Sequence, residues 1–262
     1  MEIVWTGSNL ISLSLTEEID LIKEYSKLII FDHHKLVNFL KGNDKEKIKD
    51  ILLRNDIKPL LISHDFKLPL EGENKEILEI YELSKELDLP FLLINPCEKP
   101  SNISFNVALE MFAKNLSRSL SKIDLLIVIR INAFSVVNTL SKAYKVLNLI
   151  KERERLSLAF DTFHFYLGGE DFDVFRDKDF SQIKFVFLKD AENVPRYYLK
   201  ENQQVFPGEG VIPLVQILTY LRDGGFNGYI VPEVVRPEYE KMKPEEYVSK
   251  LMETTRRIMS YL

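Results

Sequence analysis

The stretch Leu156-Ser157-Leu158-Ala159-Phe160-Asp161-Thr162-Phe163-His164-Phe165-Tyr166 decides how this chain is read. Its first five residues are a short, almost wholly apolar run, which suits a strand buried on both faces of a parallel sheet. The polar tetrad Asp161-Thr162-Phe163-His164 follows at once, where such a strand ends. A carboxylate and an imidazole three residues apart at the carboxyl end of a buried strand form an arrangement that binds metals or sugars in α/β folds. The same residue types also cap helices and satisfy loop backbone, so the setting decides their meaning.

Outward from this stretch the same alternation repeats. Apolar runs too short for helices occupy residues 2–6, 28–31, 57–63, 91–94, 125–129, 156–160, 183–188 and 228–232. Helical segments lie between them. One starts at Thr16, whose hydroxyl suits a cap with Leu15 stapling across it, and others cover about 35–55 and 71–87. Phe105, Ala108, Leu109, Phe112 and Leu116 share one helical face, as do Val136, Leu140, Ala143, Leu147 and Ile150. Leu214, Ile217, Leu218 and Leu221 mark a helix ended by Gly224-Gly225, and Tyr247, Leu251, Thr254, Ile258 and Tyr261 mark the last. The longest irregular segment is 191–210.

Eight strand-helix units in 262 residues is the count and length of a (β/α)8 TIM barrel, read as one domain over 1–262. No Gly-x-Gly-x-x-Gly follows the first strand, and there is no linker or low-complexity segment. In a barrel the strand C-termini surround one mouth, here gathering Asp32, His33, His64, Asn95, Arg130, Asn132, Asp161, His164, Lys189 and Glu233. Three of the four histidines fall at such ends, and His34 is adjacent to one of them.

Composition narrows the partners. The 35 basic and 40 acidic residues are spread without a basic block and leave a formal charge of -5, so no nucleic acid and no anionic membrane is expected as a partner. Cys97 is the single cysteine and forms no intrachain disulfide. The first residues carry neither a signal peptide nor an Arg-rich presequence, and the aliphatic run 125–129 is too short to span a bilayer. The expected location is cytoplasmic.

These residues carry a resemblance. Asp161-Thr162-Phe163-His164 is similar to the Asp-Thr-x-His of the sixth strand in xylose-isomerase-like barrels, the superfamily of sugar phosphate isomerases and epimerases, inosose dehydratases and endonuclease-IV-type nucleases. The run from Phe185 to Asp190 resembles their seventh strand, Pro207-Gly208-Glu209-Gly210-Val211-Ile212 their Pro-Gly-Glu-Gly loop, and Gly225 to Glu233 their eighth strand. The resemblance implies a xylose-isomerase-like TIM barrel acting on a small-molecule sugar or sugar phosphate, in which Glu, Asp, His and Glu from strands five to eight bind one divalent metal. A 2+ charge on the enediolate oxygen removes several kcal/mol from the barrier to breaking an α-carbonyl C–H bond.

Carried over by position, the metal ligands are Asp161 and Glu233, while His164 falls on a histidine that touches substrate or a second metal. The other two ligand positions depart, holding Arg130 and Phe187. Arginine stays charged and phenylalanine has no lone pair to offer. Arg130 therefore reads as a substitute for the missing charge, paired with Asp161 or Glu233. The expected cofactor is none, or a weakly bound Mn2+, Mg2+, Co2+ or Zn2+. The nuclease reading fails at Asn95 and at Asn202-Gln203-Gln204, where its further metal ligands would stand.

The leading expectation is an isomerase or epimerase. In it the catalytic residues are Glu233 as base, His164 as acid or orienter, and Asp161. Arg130 and Lys189 stabilise the enediolate, and either also suits a phosphate or carboxylate of the substrate. His64, Asn95 and Trp5 complete the substrate-binding set, although a lone aromatic at a barrel end also serves as core. Two alternatives stand beside it. One is a non-catalytic barrel that binds a sugar-like ligand or a protein partner. The other is retention of the motifs as structure, with Asp161 and Arg130 a buried ion pair. His33-His34 either reaches over the mouth or is solvated. Arg196-Tyr197-Tyr198 suits a lid or the contact of a homo-oligomer.

Overall fold

Parity along the strands puts the polar residues at the mouth. In a strand, alternate side chains face opposite sides, so every second residue of a barrel strand points inward. The computed structural model describes residues 1–176 and 179–262. Its described strands are β1 (Glu2–Ile3), β2 (Trp5–Thr6), β3 (Leu28–Asp32), β4 (Lys58–Ser63), β5 (Lys67–Leu68), β6 (Phe91–Pro96), β7 (Leu126–Arg130), β8 (Leu156–Asp161), β9 (Ile183–Leu188), β10 (Asp190–Ala191), β11 (Gln204–Val205) and β12 (Tyr229–Pro232).

The strands close into an eight-staved parallel barrel. One sheet runs β1-β12-β9-β8-β7-β6-β5 and another β2-β3-β4. The first stave joins them, because β1 sets Glu2 opposite Tyr229 while β2 sets Trp5 opposite Ile29. Between β4 and β6, side chains span the seam. His64 Nε2 lies 3.0 Å from the Leu93 carbonyl, and Asn95 Nδ2 donates to the His64 carbonyl at 2.6 Å.

Val4, Ile30, Leu61, Phe91, Leu93, Val128, Ala159, Phe185, Phe187 and Val231 fill the barrel interior. A second apolar layer, including Leu158 and Phe160 of β8 and Ile127 and Ile129 of β7, packs outward against the helices. Counting two residues on from Val128, Ala159, Phe187 and Val231 reaches Arg130, Asp161, Lys189 and Glu233. The site is thus the uppermost, polar layer of the barrel filling.

The helices are α1 (Leu15–Ile22), α2 (His33–Leu40), α3 (Lys45–Arg54), α4 (Lys75–Glu86), α5 (Phe105–Leu120), α6 (Leu140–Leu149), α7 (Thr162–Gly168), α8 (Leu214–Asp223) and α9 (Pro244–Met259). The first begins earlier than expected: Ser14, not Thr16, is the cap, in a reciprocal capping box with Glu17. The single helix expected over 35–55 is two, because Asp44 caps a fresh start after Gly42-Asn43. His33 and His34 open α2, with Asp32 accepting the Lys35 N–H at 3.0 Å. The irregular segment 191–210 contains β11, which pairs antiparallel with β10. Among the described residues no helix is long and apolar enough to cross a membrane.

Candidate functional site

At the carboxyl ends of the strands a cleft of about 560 Å3 opens, with Arg130, Lys189 and Glu233 on its floor and Asp161 fully buried beneath. Arg130 Nη2 lies 3.2 Å from Asp161 Oδ2 and 3.0 Å from Glu233 Oε2. Lys189 Nζ lies 3.3 Å from the same Asp161 oxygen and also touches Glu233 Oε2. Each carboxylate therefore meets both cations, and the four charges cancel. The Arg130 guanidinium sits 4.1 Å from the centre of the Phe187 ring, a cation held against an aromatic face.

Burial works against ionising Asp161 and Glu233, but the charge of Lys189, with that of Arg130, outweighs it and holds both carboxyls below their usual range. Both are carboxylates at neutral pH. Asp161 also closes a helix end, since its Oδ1 accepts the His164 backbone N–H at 3.0 Å and caps α7. Thr162 ties the neighbouring stave in, because its hydroxyl donates to the Lys189 carbonyl at 2.6 Å and accepts the Lys189 N–H at 2.8 Å.

His164 is neutral. Burial foremost pushes its pKa down to about 4, despite the nearby Asp161 charge. Its tautomer follows from the partners. Asn132 Oδ1 accepts the Phe134 N–H at 2.9 Å, which turns Asn132 Nδ2 toward His164 Nε2 at 3.2 Å as a donor. The imidazole accepts at Nε2 and so carries its proton on Nδ1, a buried atom with no hydrogen-bond partner among the described residues. Phe134 packs edge-on to the ring, and Glu201 Oε1 is 3.9 Å from Nε2.

The anticipated residues divide in their placement. Arg130, Lys189, Glu233, His164, His64 and Asn95 all line the cleft. His64 is also part of the seam: burial lowers its pKa to about 4, its Nε2 donates to the Leu93 carbonyl, and its Nδ1 faces Asn95 Nδ2 at 3.5 Å. Trp5 is a correction. It is fully buried, its Nε1 donates to Glu18 Oε1 at 2.8 Å, and it does not line the cleft, so it has no face for a sugar ring. His34 reaches the cleft, whereas His33 packs against Phe66. Tyr197 and Tyr198 stand in solvent, 89% and 75% exposed, and do not line the cleft.

Two residues that shape the site do not stand out in the sequence. Asn132 sets the His164 tautomer, and its only signal is its place at a strand end. Asp190 builds the mouth: its carboxylate accepts N–H groups from Ala191, Gly208, Gly210 and Ile212 at 2.8 to 3.0 Å. Its signal is the adjacency of Lys189-Asp190 to the Pro-Gly-Glu-Gly loop in motif order.

A divalent cation does not fit these side chains. Between the two carboxylates stand two fixed cations, the Phe187 ring offers no lone pair, and among the described residues no three His, Cys, Asp or Glu side chains converge to hold a metal ion.

With the geometry in place, comparison with known proteins gives it a setting. The model of one family, described as the xylose isomerase-like TIM barrel, matches residues 33–258. An inosose isomerase of Halalkalibacterium halodurans is 27% identical over 248 residues, covering 90% of this chain and 87% of that protein. An inosose isomerase of Bacillus velezensis is 35% identical over 124 residues, 47% of this chain and 44% of the relative. Among solved structures, the IolI protein with a zinc atom superimposes with a TM-score of 0.87 at 23% identity over 100% of this chain and 99% of that one.

Proposed function

This chain belongs to the xylose isomerase-like TIM barrel family, and from that premise we propose that it isomerises or epimerises an uncharged polyhydroxy ketone by moving a proton between carbons next to the carbonyl. The observation that carries the proposal is the quartet Arg130, Lys189, Asp161 and Glu233 on the floor of a polar cleft, with neutral His164 at its side. The inosose isomerase relatives support a cyclic keto-polyol as the substrate class.

Removing a proton beside a carbonyl leaves negative charge on oxygen, and preorganised donors in a site screened from water stabilise it most. Lys189 and Arg130 provide such donors. Glu233 is ionised and takes the proton. It is a weak base while both cations hold it, and its basicity rises as substrate oxygens draw hydrogen bonds from them. Asp161 stays between the cations and fixes their positions. A substrate hydroxyl that takes the place of the Asn132 amide N–H donates to the single lone pair of His164 Nε2 and is oriented by it.

Charge matching favours an uncharged substrate over a sugar phosphate. Arg130 and Lys189 are neutralised by the two carboxylates, and Lys67 at the rim is paired with Glu98 at 3.0 Å. The backbone N–H groups of the Gly208 to Ile212 loop, a natural nest for an anion, are filled by Asp190. Asp32, Asp65 and Glu201 add negative charge to the lining.

The test is deuterium exchange. With an inosose or a ketohexose in D2O, proton NMR should show loss of the signal beside the carbonyl, catalysed by the protein and abolished in Glu233→Gln. One observation favours a second reading, a barrel that binds such a ligand or a protein partner without turnover: the firm grip of two cations on Glu233. Binding by calorimetry without exchange for any ketone would establish that reading and dismiss the first.

A further inference from the structure

Arg130, Asp161, Phe187 and Glu233 occupy inward or mouth-facing positions on β7, β8, β9 and just beyond β12, and their side chains meet at one point. The point is occupied by nitrogen. Arg130 Nη2 is within 3.2 Å of oxygens from both carboxylates, and Lys189 Nζ bridges the same two oxygens. From this we infer that the chain supplies from its own side chains the positive charge a divalent cation would bring to this mouth, and that it takes no divalent cation there.

The geometry carries the inference in three steps. Two unit charges balance two carboxylates, so no net negative charge is left to attract a metal. A guanidinium does not lose its proton in a protein, so a metal can enter only by expelling Arg130 from a position nearly closed to solvent, with 13% of its side chain exposed. The incoming ion would then lie beside Lys189, which is buried more deeply still. Phe187 and Arg130 act as a pair: the ring gives the guanidinium a face to lie on, where a side chain with a lone pair would give a metal a ligand. This concerns the site itself and stands or falls independently of the substrate.

The experiment titrates chelator-stripped protein with Zn2+ and Mn2+, reading heat by calorimetry and melting temperature in parallel. Wild type should show no saturable uptake at the mouth and no rise in melting temperature. The double variant Arg130→Glu, Phe187→His places lone pairs on all four converging positions. It should bind one ion per chain at least 100-fold more tightly than wild type and melt higher when loaded. One ion bound per wild-type chain, and lost in both Asp161→Asn and Glu233→Gln, would overturn the inference. Wild-type uptake that survives in those two variants lies elsewhere on the surface and agrees with it. The wild-type titrations decide the question even where the double variant does not fold.

Discussion

Gly210 and Asp190 are packed too closely to admit a side chain at position 210. The Gly210 N–H donates to Asp190 Oδ2 at 3.0 Å, and a Cβ at 210 would stand 2.4 Å from Asp190 Oδ1 and 2.2 Å from the Ala191 carbonyl. Neither neighbour is free to yield, since Asp190 is held by three further backbone N–H groups. Gly210→Ala should cost about 2 to 3 kcal/mol, the range for overpacking in a closed site. Urea unfolding of the variant measures it. A loss below about 0.5 kcal/mol would show that the loop relaxes freely and that Asp190 is not its anchor.

The floor of the cleft makes a different prediction, because its stability depends on charge balance. Arg130→Met removes one of two cations and leaves a net negative charge buried among Lys189, Asp161 and Glu233. Leaving one buried partner uncompensated costs on the order of 3 to 5 kcal/mol. Adding Asp161→Asn to Arg130→Met restores balance with Lys189 facing Glu233 alone, so the double variant should be the more stable of the two. Equal stability of Arg130→Met and wild type in chemical denaturation would show that water already reaches the quartet.

His64 and His164 give a pH prediction. Both titrate near 4 in the fold, against 6.5 for a free imidazole, and burial is the main cause of each shift. Between about pH 4 and 6.5 the unfolded chain therefore binds a proton at each ring that the folded chain does not. Stability is complete above 6.5 and falls as pH drops, by about 1.4 kcal/mol per pH unit for each histidine. The lowered Asp161 and Glu233 act at more acid pH: their contribution is present above about pH 4 and is lost below it. Urea unfolding at pH 7, 6 and 5 should show the histidine slope, to which His33, also lowered by burial, adds, and His64→Asn should reduce it. A flat profile would mean that both rings are protonated in the folded protein.

Much of this is legible in the sequence because strands write a period of two. The apolar runs mark the eight staves, and the position after each run brings Arg130, Asp161, Lys189 and Glu233 together at the mouth. The sequence leads to Arg130 paired with Asp161 or Glu233, and the fold sets it against both, which only the closeness of the two carboxylates decides. The helix starts are less legible, since Ser14 and Thr16 are both good caps and only the reciprocal bond with Glu17 selects Ser14. Trp5 misleads because being at a barrel end does not fix direction: its indole points outward to Glu18, a buried acid that no local pattern announces. Asn132 is hidden because it acts by orienting another side chain, which depends on the fold of the 132–137 loop.

The orienting role of Asn132 is open to direct test. Its oxygen is held by the Phe134 N–H, so it presents its amide N–H to His164 Nε2. Nitrogen-15 NMR of the wild-type side chain should report a neutral ring protonated at Nδ1. In Asn132→Asp the partner becomes an acceptor, and the neutral ring should switch its proton to Nε2, reversing the two nitrogen shifts. Asn132→Leu removes the donor without adding a charge. The ring then loses its fixed orientation, and kcat for proton exchange should fall about 10- to 100-fold, as for a substrate held out of its reactive position. If Asn132→Asp keeps the Nδ1 proton, something other than Asn132 sets the tautomer. An unchanged kcat in Asn132→Leu would show that the orientation of His164 does not limit the reaction.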